Sequence, residues 1–271
     1  MRKDAIFPRK SPDDKKHARN NNKLKKENIF MKKLNSNSVC KTAKIMALLL
    51  VAGTVLTASA DVMKPQPYAE KDWRTSFFKQ AMNDRAKLRA AGIVFLGDSI
   101  TQGWTATWTK HHGMKTWKSL LKSHNMINLG VSNDRIEHVL WRVTDGKEID
   151  GFTAKLIVLM IGTNNPEDPA TIAKGIENLL KVLREKRPEA KILLLGVLPV
   201  SWRMAKSAQI NELICKFADN QHIFYKDYSS LFLTPDGKKV CNLHDGLHPD
   251  ETGYELLGKE LVKEFDALLK K

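Results

Sequence analysis

Short apolar runs recur along the chain from residue 93 onward, four of them closed by a glycine or a proline. Ile93-Val94-Phe95-Leu96 stops at Gly97, Met126-Ile127-Asn128-Leu129 at Gly130, residues 156–161 at Gly162 and residues 192–198 at Pro199. Residues 222–225 form a weaker fifth run. The segments between follow a different period. Ile172, Ile176, Leu179, Leu180 and Leu183 share one helical face, as do Leu256, Leu257, Leu261, Val262, Phe265 and Leu268 near the end. Strands apolar on both faces, alternating with amphipathic helices, predict a parallel sheet covered on both sides. The expectation is a three-layer α/β/α sandwich with about five parallel strands, spanning 61–271 without repeat or linker.

Open parallel sheets bind ligands beyond the carboxyl ends of their strands. The residues that follow the strands here are Gly97-Asp98-Ser99-Ile100, Gly130-Val131-Ser132-Asn133 and Gly162-Thr163-Asn164-Asn165. A fourth polar cluster, Asp245-Gly246-Leu247-His248-Pro249, precedes the last helix. Ser99, at a strand-to-helix turn, has the placement of an exposed nucleophile, and equally that of a helix cap. Asp245 and His248 stand three residues apart, so the carboxylate can orient the imidazole within one turn. The plainer alternative is a solvated His248 beside a helix capped by Asp250 or Thr252. Gly130 can offer a backbone N–H and Asn164 a side-chain amide to an oxyanion, or both can be ordinary turn residues.

Charge alters this picture less than its total suggests. The 271 residues carry 45 Lys+Arg against 30 Asp+Glu, a net charge of +15. Residues 1–60 hold 14 of the basic and 4 of the acidic ones, so most of the excess lies outside the predicted domain, and a nucleic-acid partner loses its support. Residues 1–30 are polar and patternless: an extension, or a stretch upstream of a true start at Met31. From Met31, Lys32, Lys33, Lys41 and Lys44 precede an apolar stretch over 45–56 and then Ala58-Ser59-Ala60, the pattern of a cleaved signal peptide over 31–60. An uncleaved anchor is the alternative, although 12 residues are short for a membrane span. The expected location is periplasmic or extracellular, with no stable membrane insertion once the leader is cleaved. In that setting Cys215 and Cys241 either pair or remain two free thiols.

Taken together, GDSI, the glycine of NLGVSND, GTNN and DGLHPD occur in the order of the SGNH (GDSL-like) hydrolase superfamily, and the resemblance runs over roughly residues 70–268. NLGVSNDRIEHVLWRV, VLMIGTNN and KILLLGVLP look most like the catalytic subunits of platelet-activating-factor acetylhydrolase. The resemblance implies a flavodoxin-like fold with Ser99 as nucleophile, His248 as general base and Asp245 as the acid that orients it. It also implies an oxyanion hole built from Ser99, Gly130 and Asn164. Two positions depart from the family pattern: Ile100 stands where the family name has leucine, and Asn165 where many members have aspartate.

Asp98, Asn133, Asp134 and Arg135 adjoin these blocks and are candidates for substrate contact, with a surface ion pair as the alternative for the last three. Trp104 and Trp108 are candidates for an aromatic wall or sugar platform, against ordinary core packing. Trp141 reads as core. His111, His112, His124, His138, His222 and His244 fall in no recognised metal-ligand spacing, so no metal is expected. GDSIT lacks a GxGxxG fingerprint and a Walker lysine, so no nucleotide cofactor is expected.

The resemblance points to a serine ester hydrolase acting on short acyl groups, acetate first, through an acyl-enzyme. Export favours a carbohydrate O-acetylesterase acting on an acetylated glycan or similar small ester. A lipid acetyl-ester hydrolase of the platelet-activating-factor type, or a lysophospholipase or thioesterase, is the alternative. The non-enzymatic alternative is a silent glycan-binding module. A homodimer is compatible with the resemblance, though no exposed apolar stripe marks its interface.

Overall fold

Five parallel strands form where the apolar runs lie: β1 (Ile93–Gly97), β2 (Met126–Gly130), β3 (Leu156–Met160), β4 (Lys191–Leu195) and β5 (Ile223–Lys226). The computed structural model describes residues 61–107, 109–121 and 124–270, so the expectations for 1–30, for the leader over 31–60 and for Trp108 lie outside the described residues. The strands are ordered β2-β1-β3-β4-β5. This is the flavodoxin-like order, in which the chain leaves β1 in one direction for β2 and in the other for β3 to β5. It opens a crevice at the carboxyl ends of β1 and β3.

Both faces of the sheet are buried. Val94, Leu96, Ile157, Leu159, Ile192 and Leu194 face one way, toward α4 (Ile136–Val143), α5 (Pro169–Lys186) and α6 (Met204–Ile214). Ile93, Phe95, Leu156, Val158, Leu193 and Leu195 face the other, toward α3 (Met114–Leu121) and α7 (Glu251–Leu269). This two-sided burial is why the strands read as continuous apolar runs rather than alternating ones. β5 is only half-buried, an edge strand, which accounts for its weaker signal. α1 (Trp73–Leu88) precedes the sheet, and the four-residue α2 (Ser99–Gln102) follows β1 directly.

The long helices start where capping chemistry allows. Asp168 accepts the N–H groups of Ala170 and Thr171 at 3.0 Å ahead of α5, with Pro169 in its first turn. Asp250 accepts the Gly253 N–H at 2.8 Å ahead of α7. The apolar run over 192–198 outlasts its strand. β4 ends at Leu195, and Val197 then exchanges both backbone hydrogen bonds with the Asn211 side chain, at 2.8 and 3.0 Å. Residues 61–72, which show no periodic pattern, lie against the helices: Val62 packs on Gly175 of α5, and the Gln66 N–H bonds the Glu137 carbonyl at 3.0 Å. Among the described residues no helix is long and apolar enough to cross a membrane.

Candidate active site

Ser99 opens α2, immediately beyond β1. The turn from strand to helix is so tight that a Cβ at Gly97 would strike the Thr101 side chain and the Met160 carbonyl. Asp98, expected to touch substrate, instead lies beneath this turn with no exposed surface. Its Oδ1 caps α2 by accepting the Ile100 N–H at 3.0 Å. Its Oδ2 has no hydrogen-bond partner, and burial pushes the carboxyl up to about 7.

His248 reaches Ser99 from the loop ahead of α7. Asp245 shapes that loop: its Oδ1 accepts the N–H of Leu247 at 3.0 Å and of His248 at 2.7 Å. Its Oδ2 lies 2.7 Å from His248 Nδ1, and His248 Nε2 lies 2.9 Å from Ser99 Oγ. Facing a carboxylate, Nδ1 carries the ring proton, which leaves Nε2 to accept the serine hydroxyl. Partial burial raises the Asp245 carboxyl, but the two backbone donors and the imidazole outweigh it and hold the group at about 2. The side chain is thus an anion across the neutral range. Asp250 caps the helix as well, so the cap and the relay coexist.

Ser99 and His248 line a cleft of about 270 Å³ with Thr109, His111, Ser132 and His244 among its walls. His244 stacks between His111, at 4.5 Å, and His248, at 5.8 Å between centroids. His244, Asp245 and His248 place possible ligand atoms within 4.8 Å of one another. A cation there would compete for the Asp245–His248 hydrogen bond.

The oxyanion side departs from expectation at Gly130. Its N–H is spent on Asn128 Oδ1 at 2.8 Å. The glycine is needed for another reason, since a Cβ would meet the backbone of Thr101 and Gln102 in α2. Asn133, three residues on, has φ +63°, and among the described residues no hydrogen bond takes its N–H. Its neighbour Ser132 is held by Gln102 Oε1, which accepts both its N–H at 2.8 Å and its hydroxyl at 2.6 Å. Asn164, beyond β3, donates one amide hydrogen to the Asp134 carbonyl at 2.9 Å and keeps the other.

Asp134 is corrected as well. It is fully buried and accepts Tyr68 Oη at 2.8 Å and Arg142 Nη1 at 2.7 Å, so it holds the loop rather than a substrate. Trp104 is 3% exposed, against Tyr254, Phe95 and Trp117, and belongs to the core. Trp141 packs on Phe78 and Tyr68, as expected. Asn133 and Arg135 do line a cleft, together with Asn164, Arg74 and His138. Asn165 explains its departure from aspartate: Oδ1 accepts the Ile136 N–H at 3.0 Å, while Nδ2 donates to Glu137 at 3.1 Å and Glu167 at 3.0 Å. An ionised aspartate has no proton to donate to those carboxylates. Cys215 and Cys241 are both free thiols. No motif marks Tyr68, Gln102, Asn128 or Arg142 as site residues; the positive φ at Asn133 has a signal, an asparagine between two turn-forming residues.

Gly130→Ala should lower both Tm and kcat/KM, because the added methyl displaces the helix that bears Ser99. Asn133→Gly should leave Tm within a few degrees, since glycine accepts the same φ. The reverse ranking in thermal unfolding would contradict this assignment of the two positions. For Asp98, the folded carboxyl is raised from its ordinary value to about 7. The folded state therefore binds more protons than the unfolded one between about pH 4 and pH 7, and this group's contribution to stability falls as pH rises through that window. Asp98→Asn should remove that slope when urea unfolding is followed against pH; an unchanged slope would refute it.

Known proteins resemble this chain in sequence and in fold. Residues 95–256 match the GDSL-like Lipase/Acylhydrolase family. The chain is 32% identical to Platelet-activating factor acetylhydrolase IB subunit alpha2 of Homo sapiens over 179 residues, covering 62% of this chain and 73% of that one. A Bacteroides fragilis crystal structure described as an acylhydrolase superposes with a TM-score of 0.59 at 21% identity, covering 74% of this chain and all of that one. The aryl esterase of M. smegmatis superposes with a TM-score of 0.53 at 17% identity, covering 66% of this chain and all of that one. The chain belongs to the GDSL-like lipase/acylhydrolase family of ester hydrolases.

Proposed function

We propose that the protein removes acetyl groups from carbohydrate esters through an acyl-enzyme on Ser99. The observation that carries the mechanism is the continuous chain from Ser99 Oγ to His248 Nε2, 2.9 Å, and from His248 Nδ1 to Asp245 Oδ2, 2.7 Å. Ser99 Oγ attacks the ester carbonyl carbon as its proton passes to His248 Nε2. The carbonyl oxygen becomes an oxyanion, held by the N–H of Ser99, the N–H of Asn133 and the free amide hydrogen of Asn164. The ionised Asp245 stabilises the imidazolium. The tetrahedral intermediate then expels the alcohol, which takes the proton from Nε2. Water attacks the acyl group by the same route, giving the carboxylic acid and restoring the serine.

The choice of acetyl is supported by the curated relatives, which are named as acetylhydrolases, and that of carbohydrate by the polar side chains among the walls of the cleft, Thr109, His111, Ser132 and His244. A second reading, an acetylated phospholipid as substrate, is favoured by the names of the curated relatives. The leader pattern of residues 31–60 supports a substrate outside the cytoplasm.

Acetate release by the purified protein, from a panel of acetylated sugars and from an acetylated phospholipid, separates the two substrates. Ser99→Ala should lower kcat by at least ~1000-fold on either. Preference for the phospholipid would overturn the carbohydrate reading and keep the mechanism. Hydrolysis persisting in a folded Ser99→Ala protein would overturn the nucleophile.

A further inference from the structure

Beside the Ser99 cleft lies a second one of about 410 Å³, lined by Arg74, Asn133, Arg135, His138 and Asn164. The two adjoin at consecutive residues, since Ser132 lines the first and Asn133 the second. We infer that this second cleft is a subsite for a negatively charged group, a carboxylate or a phosphate, on the alcohol portion of the substrate. The inference rests on the esterase reading above and adds to it the charge class of the substrate.

Hydrogen-bond donors carry the case: the His138 ring, the Asn164 amide and the guanidinium groups of Arg74 and Arg135 line this cleft. His138 Nδ1 lies 3.1 Å from the Arg135 N–H and 3.4 Å from Arg74 Nη1. Two donors directed at Nδ1 make it the unprotonated nitrogen, so the ring's proton is on Nε2. Burial, and after it the neighbouring Arg74 charge, pushes this imidazole down to about 4, so it stays a neutral donor of one hydrogen at neutral pH. The Asn133 carbonyl is occupied by Arg74 Nη1 at 3.2 Å.

Arginine charge adds to the donors. Arg74 is pinned by Asp72, which it meets through Nε and Nη2 at 3.0 and 2.6 Å, and it stiffens the cleft wall. Arg135 is the arginine left to a ligand. Its side chain is 39% exposed, and its nearest carboxylate, the buried Glu137, is 3.9 Å away, too far for a hydrogen bond. A guanidinium so placed presents a planar pair of N–H groups, suited to two oxygens of a carboxylate or phosphate. Asn164 joins this cleft to the proposed oxyanion donors, so an anion on the alcohol would be anchored as the ester carbonyl reaches Ser99.

The test uses three esters that differ only at C6 of the sugar: methyl 2-O-acetyl-glucoside, the corresponding uronoside and the corresponding 6-phosphate. The wild-type protein should favour one charged ester over the neutral one by about tenfold or more in kcat/KM, carried mainly in KM, and lose that preference as salt rises. Whichever charged ester leads identifies the anion. Arg135→Gln should bring the charged-to-neutral ratio toward one, and Arg135→Lys should restore part of it. Equal rates on all three, or a preference that survives Arg135→Gln, would overturn the subsite. Should none of the sugar esters be cleaved, binding of methyl glucuronoside and of glucose 6-phosphate to the Ser99→Ala protein decides the matter by calorimetry. Binding lost on adding Arg135→Gln supports the subsite even as the carbohydrate reading fails, and no binding of either overturns it.

Discussion

The Arg142 guanidinium has no exposed surface, and the loop that faces Ser99 is built around it. Nη1 meets Asp134 Oδ2 at 2.7 Å and Nη2 meets Glu148 Oε2 at 2.7 Å, while Nη2 also bonds the Leu129 carbonyl at the end of β2. Burial opposes the charge of Arg142, but Glu148 and Asp134 more than offset it and hold the guanidinium protonated. Removing one partner of such a pair leaves an uncompensated buried charge, at a cost of about 3–5 kcal/mol. Tyr68, brought in by the segment ahead of α1, completes the set around Asp134. The Asp134 backbone carbonyl in turn receives the Asn164 amide, so one buried charge ties β2, β3 and α4 to a single loop geometry.

On the other side of the cleft the constraint is steric. α2 lies so close to β1 and β2 that neither Gly97 nor Gly130 has room for a side chain. That closeness lets a short helix raise Ser99 at the strand ends, and Asp98 is sacrificed to cap it from below. A fully buried carboxyl with one unpartnered oxygen is a poor contributor to stability. Its position is explained by the turn it closes.

Much of this was legible from residue pattern. The strand runs and the two helical faces predict the sandwich because both sheet faces are buried, and Ser99, Asp245 and His248 meet because their motifs close on one sheet edge. The misreadings share a cause: adjacency to a motif says nothing about which way a side chain points. Asp98 and Asp134 flank the site in sequence and face the interior, and Trp104 turns into the core. Gly130 matched the motif, yet Asn128, two residues earlier, takes its N–H. Arg142 sits among Val139, Leu140 and Val143 on α4, where nothing in the period marks an arginine as fully buried. His138 and Arg74 depend on contacts across more than sixty residues, beyond the reach of local pattern.

By this mechanism hydrolysis passes through an ester bond to Ser99. Its most direct test is to mix the protein with an activated acetyl ester, quench in acid during turnover, and read the peptides by mass spectrometry. One acetyl group is expected on the peptide that carries Ser99, formed and discharged within the turnover time. Acetate release with no acyl group on that serine at any time, and undiminished release from Ser99→Ala, would contradict it.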